Sequence, residues 1–141
     1  MRAIENITTE NFAPFGTLVD FPENPADPRF MVTDTEPDAP WRVAIFRITI
    51  RQAVRLECHP TSKEVFTPLS GTGVLLVAAP ESPGDWHAFL LNRAVCLGKG
   101  VWHEMVTLSP ETLCQITENL EVTSEFYDFA QSMGVGVGEV S

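Results

Sequence analysis

Basic side chains are scarce in this sequence. Nine lysines and arginines stand against nineteen aspartates and glutamates, a formal charge of −10. A nonspecific grip on nucleic acid needs a basic face that displaces counterions from phosphates, and no basic cluster offers one, so nucleic acid is excluded as a partner. Long apolar runs are missing too. The opening MRAIENITTENF is polar and acidic, with no segment suited to a signal peptide, and no stretch approaches the length of a membrane span. We expect a cytoplasmic protein with no membrane partner. Cysteine is limited to Cys58, Cys96 and Cys114, odd in number, widely spaced and without a CxxC pair. This argues against a disulfide framework or a zinc ribbon and leaves three reduced core thiols. No internal repeat and no low-complexity block is present.

What is present suits one domain over residues 1–141: 44% of the residues are hydrophobic and 20% charged, enough apolar material for a single core. The segment TTENFAPFGTLVDF predicts a short helix capped at Thr8 or Thr9, then a turn at Gly16 into a strand. Residues 22–40 carry Pro22, Pro25, Pro28, Pro37 and Pro40, which interrupt any helix or central strand. They form a long excursion, either a solvated loop with Phe30 and Met31 tucked onto the surface, or a lid or subunit-exchanging arm. From Trp41 onward the chain reads as short strands: WRVAIFRITI, AVRLECH, EVFTPLSG, GVLLVAA, WHAFLL, AVCLG, VWHEMVTL and TLCQITENL, divided by turn chemistry such as HPTS, APESPGD, GKG and LSPE. Such spacing predicts an all-β sandwich or barrel. TSEFYDFAQSM predicts a helix near the C-terminus, and 133–141 a Gly-rich tail that frays.

The chemistry concentrates in ECHPTSKEVF. Side chains two apart on a strand share a face, so Glu57 and His59 point one way and Cys58 the other. After a bend at Pro60–Ser62, Glu64 and Phe66 share a face of the next strand. Far along, GKGVWHEMVTL places His103 on a strand after a glycine turn. If these strands line one cavity, the four polar residues converge and two imidazoles with one or two carboxylates could hold a divalent metal. The bland alternative has Glu57 and Glu64 in solvent and His59 capping a strand end. His87 lies beside a turn outside both segments and reads as a surface or structural residue, and Trp102 reads as core.

These residues resemble a known family. His59, Glu64 and Gly71 are spaced like the first motif of the cupins, with Glu57 where a first histidine commonly stands, and GKGVWH is similar to the second motif. Within the cupins the chain resembles ureidoglycolate lyase, formerly called ureidoglycolate hydrolase. The likeness is carried in order by NFAPFGTLVD, Glu57, His59, Pro60, Phe66, Pro68, Leu69, Gly71, LLVAAP, Ala88, Phe89, Gly100, Trp102 and His103. The chain departs from that family in having Glu64 for a glutamine, Glu104 and Met105 for a histidine and proline, and VCLGKG for an asparagine-tyrosine segment.

The resemblance implies a double-stranded β-helix (jelly-roll) barrel with short helical segments near the termini, a homodimer, and cleavage of ureidoglycolate to glyoxylate and urea. It also implies Glu57, His59, Glu64 and His103 as ligands of a divalent Zn, Mn, Ni or Fe ion. Splitting the substrate needs a base for the carbinol proton and an acid for the departing nitrogen. His103 is the candidate base, and Glu64 a candidate acid if burial raises its pKa. Lys63, Arg47 and Lys99 are the cations available to a substrate carboxylate. Two other readings stand beside this one: another metal-dependent cupin enzyme, such as an isomerase or dioxygenase, and a noncatalytic small-molecule-binding barrel.

Overall fold

The computed structural model describes residues 2–134, with side chains as far as residue 130. In chain order the elements are β1 (Ile4–Asn6), α1 (Thr9–Phe12), β2 (Gly16–Leu18), β3 (Trp41–Ile48), β4 (Gln52–Cys58), β5 (Glu64–Ser70), β6 (Gly73–Ala78), β7 (His87–Leu90), β8 (Val95–Leu97), β9 (Trp102–Thr107), β10 (Thr112–Asn119) and β11 (Glu125–Gly134). All eight segments read as strands between Trp41 and Leu120 are strands. The N-terminal helix forms as expected: Thr8 Oγ accepts from the Asn11 amide at 3.1 Å while Asn11 Oδ1 accepts from the Thr8 amide at 2.8 Å. Its Phe12 is fully buried, with its ring edge-on to Phe15 and Phe89.

Two sheets make the barrel, one ordered β1-β7-β6-β9-β4-β11 and the other β2-β8-β5-β10-β3. From β3 to β6 the chain changes sheet at every turn, and again from β7 through β10, which winds the strands into a jelly roll. Period-two alternation fills the space between the sheets with Phe66, Leu75, Val77, Phe89, Val95, Leu97, Met105, Cys114 and Ile116. The opposite face of the six-stranded sheet carries a second buried cluster, with Leu56, Val74, Leu76, Ala88, Val106 and Trp86. β6 is therefore buried at every position.

Residues 123–133, expected as a helix, instead enter strand β11 at Glu125, and this strand is paired antiparallel with β4. Aromatic side chains favour a pleated, half-buried surface. Tyr127 and Phe129, two apart and so on one face, cover the second cluster by packing on Trp102 and Trp86. That tertiary contact overrides local helix preference. Met133 and Gly134, assigned to a fraying tail, are the last residues of this strand, and the rest of that tail lies outside the described residues. In the 22–40 segment the stretch 34–36 is fastened down: Thr17 donates to Asp34, Lys63 to the Thr35 carbonyl, and Lys99 pairs with Glu36. Phe30, expected to tuck onto the surface, is 71% exposed. The three cysteines are free and buried. Burial pushes the Cys58 thiol up to about 11 and those of Cys96 and Cys114 up to about 12, so none is poised as a nucleophile.

Candidate functional site

Strand register assembles the site from two rows. In the six-stranded sheet Glu57 of β4 stands opposite His103 of β9. In the five-stranded sheet Glu64 of β5 stands opposite Glu118 of β10, which stands opposite Arg42 of β3. The rows face each other at one end of the barrel, and His59 joins them from the turn after β4. That turn is set by the Ser62 amide donating to the His59 carbonyl at 3.3 Å, with Ser62 Oγ accepting from the Asn119 amide at 3.0 Å. The glycine turn before β9 is tied to the same residue: the Gly100 amide donates to the His59 carbonyl at 3.1 Å. Gly100 has φ +77°, a left-handed conformation that a side chain would strain. The two motifs are thus physically joined ahead of their ligands.

Both imidazoles are oriented by a carbonyl. His103 Nδ1 lies 3.1 Å from the Val101 carbonyl, and His59 Nδ1 3.1 Å from that of Thr123. A carbonyl only accepts, so Nδ1 carries the hydrogen and each Nε2 presents its lone pair to the cavity, the arrangement found behind metal-binding histidines. Facing these lone pairs are carboxylate oxygens. Glu64 Oε2 is 3.0 Å from His103 Nε2 and 3.7 Å from His59 Nε2, Glu57 Oε1 is 3.8 Å from His103 Nε2, and Glu118 Oε1 is 4.0 Å from His59 Nε2. Glu64 Oε2 and Glu118 Oε1 are buried without any hydrogen-bond partner. Acceptors facing acceptors are satisfied by a cation or by a proton. Donors around a first-row divalent ion stand about 3.0–3.6 Å apart, given bond lengths of about 2.0–2.2 Å. The four measured separations run from 3.0 to 4.0 Å, at or a little above that range, and the donor types are those such an ion takes.

Burial sets the electrostatics. It raises the Glu64 carboxyl to about 9, helped by the neighbouring Glu118 and Glu57 carboxylates and opposed by Arg42, so the metal-free site holds a proton on Glu64 at neutral pH. Burial lowers His103 to about 4, with His59 adding to the effect and the Val101 carbonyl opposing it. Its imidazole is therefore neutral at neutral pH, and a proton on Glu64 can be shared with Nε2 across the 3.0 Å between them. His59, Ser62, Glu64, Leu97, Gly98, Val101 and His103 close around a gap too small to admit a water molecule. The Glu57 side chain is 39% exposed where those of His59, Glu64, His103 and Glu118 are 6–8% exposed.

Glu57, His59, Glu64 and His103 are thus brought together as the sequence suggested, and the three expected cations are not among them. Lys63 and Lys99 hold the 34–36 segment, and Arg47 pairs on the surface with Glu111. The charge that does touch the site is Arg42, whose Nη2 and Nε lie 2.6 and 3.0 Å from Glu118 Oε2. Sequence reading missed Arg42 and Glu118. A signal for Glu118 exists: in TLCQITEN the inward positions Thr112, Cys114 and Ile116 run in steps of two to Glu118. His87 is half-buried beside Phe15 and Phe89, away from these residues, and Trp102 packs in the second cluster.

A two-sheet jelly roll with histidines and carboxylates gathered at one mouth defines a barrel of the cupin type. Residues 32–126 match the family model for ureidoglycolate lyase, and the chain belongs to that family. It is 33% identical over 127 aligned positions to the ureidoglycolate lyase of Stutzerimonas stutzeri, covering 73% of each chain. It is 34% identical over 130 positions to that of Pseudomonas putida, covering 73% of this chain and 74% of the other. Among solved structures, the TDP-quinovose 3,4-ketoisomerase of Campylobacter jejuni is similar at 20% identity and a TM-score of 0.46, over 66% of this chain and 68% of that one.

Proposed function

We propose that this protein is a ureidoglycolate lyase that splits ureidoglycolate into glyoxylate and urea at the mouth of the barrel, beside Glu57. The observation that carries the reading is the meeting of His103 Nε2 and Glu64 Oε2 at 3.0 Å, from motifs far apart in a chain of this family. His103 Nε2, oriented by the Val101 carbonyl, takes the proton of the carbinol hydroxyl. As that O–H bond breaks, the carbonyl of glyoxylate forms, the carbon–nitrogen bond breaks, and its electron pair leaves on nitrogen. Glu64, protonated at neutral pH in the metal-free site, delivers a proton to that nitrogen to complete urea.

His59, Glu64, His103 and Glu57 would hold a divalent ion of the Zn, Mn, Ni or Fe kind. Such an ion supplies charge to the substrate's carboxylate and hydroxyl and lowers the hydroxyl pKa. Ligation and proton donation by Glu64 exclude one another, and metal content decides between them. We also place the protein in the cytoplasm, with its three thiols reduced, and assign it a homodimeric state. The exposed apolar side of edge strand β3, with Trp41 at 70%, Val43 at 53% and Ile45 at 67% exposure, supports the dimer.

The deciding experiment is glyoxylate release from ureidoglycolate, above spontaneous breakdown, by native protein and by folded His103→Ala, each with and without added divalent metal. Release that disappears in the variant supports the reading. No release by native protein under any of these conditions refutes it.

A further inference from the structure

Arg42, Glu118 and Glu64 lie in register across three neighbouring strands of one sheet. Both guanidinium contacts go to the same oxygen, Glu118 Oε2. Oε1 is left buried, without a partner, and aimed at the His59 Nε2 lone pair 4.0 Å away. The Glu118 side chain is 6% exposed and that of Arg42 43%, so the carboxylate is inside while its countercharge sits at the rim. A carboxylate buried for structure alone would have both oxygens satisfied. Here one oxygen is saturated and the other is turned into a space lined by lone pairs.

Two triads share His59. The ligand atoms of Glu57, His59 and His103 lie within 4.8 Å of one another, and so do those of His59, Glu64 and Glu118. The first includes the half-exposed Glu57, whereas every member of the second is buried. A cation in the second would meet two carboxylates of the five-stranded sheet, those with the orphaned oxygens, and the imidazole held by the turn after β4.

We propose that Glu118 is a donor to the divalent cation, and that Arg42 is the positioning residue that fixes Glu118 with Oε1 facing inward. The inference rests on the metal reading above and extends it: Glu118 joins His59 and Glu64 on the buried side of the ion, in addition to the ligands already assigned. Arg42 also offsets one of the two negative charges that Glu64 and Glu118 bring together, which lets two carboxylates share a buried space. A donor set with this much carboxylate takes Mn²⁺ as well as Zn²⁺.

The test is titration of Mn²⁺ and Zn²⁺ into metal-stripped full-length protein by calorimetry. Glu118→Gln is expected to bind about 10–100-fold more weakly, and Arg42→Met to lose a similar factor. Because Arg42 acts through Glu118, the double variant loses no more than Glu118→Gln alone, a non-additivity that two independent structural defects would not produce. If Arg42→Met does not fold, Arg42→Lys, which keeps the charge but not the two-pronged contact, is expected to show an intermediate loss. Glu118→Gln with native affinity, or losses that simply add, overturns the proposal while leaving the metal reading in place. Native protein that binds neither ion overturns both.

Discussion

The two ends of the barrel bury polar groups in opposite ways. Where β9 and β10 approach each other away from the site, Thr107 Oγ1 meets Thr112 Oγ1 at 2.8 Å, Ser109 Oγ at 3.1 Å and the Ser109 carbonyl at 3.0 Å. Four residues back along β9 and six on along β10 are His103 and Glu118, in the end where, among the described residues, Glu64 Oε2 and Glu118 Oε1 lack a donor. A hydroxyl network that closes on itself is structure. Carboxyl groups buried against bare imidazole nitrogens cost free energy on folding unless a cation or a proton satisfies them.

Removing the base is the most severe way to break this contrast. His103→Ala should lower glyoxylate release by about 10²–10⁴-fold, the usual range for general acid–base groups, with the circular dichroism spectrum unchanged. Cutting the satisfied end should do the reverse: Thr112→Val removes one of the contacts of Thr107 Oγ1 and leaves those to Ser109 in place. It should cost about 0.5–1.5 kcal/mol in denaturant unfolding while metal affinity stays native.

A subtler effect is carried by pH. Between its ordinary value of 4.5 and about 9, Glu64 is protonated in the folded state and ionised in the unfolded one, so folding takes up a proton and stability falls as pH rises. His103, lowered from 6.5 to about 4, acts oppositely, adding stability as pH rises through that interval and nothing above it. The melting temperature of metal-free protein should therefore fall from pH 6.5 to 9, and Glu64→Gln should flatten the fall. An equal fall in the variant would remove Glu64 as its cause. The smallest effect belongs to Arg47→Ala: its partner Glu111 is at the surface, so stability should change by about 1 kcal/mol or less and turnover not at all.

Much of this was readable residue by residue. Alternating apolar segments bounded by proline and glycine turns specify strands locally, and they did so for all eight segments from Trp41 to Leu120. The face of Glu57 follows from period alone, whereas His59, one residue past the end of β4, is placed by the turn. Arg42 and Glu118 were not found, because alternation says which side chains share a face but not which strand lies next door. Their pairing, and that of Glu118 with Glu64, belongs to the register of β3, β10 and β5, strands far apart in sequence. The cations chosen instead, Lys63, Lys99 and Arg47, were near the motifs in sequence and are engaged elsewhere in space. The C-terminal helix failed for a related reason: EFYDF accommodates either period locally, and only the open edge of β4 with Trp86 and Trp102 beside it selects the strand.

The sequence by itself therefore determined the all-β character, the capped first helix, the turn at Gly100, and the faces of their strands on which Glu57 and Glu64 would appear, since these depend on side-chain period and backbone freedom within a few residues. Only the tertiary structure decided that those faces turn inward together and that His103 and Glu118 complete the set. It alone placed Arg42 beside Glu118, because burial, desolvation and cross-strand register are properties of packed neighbours.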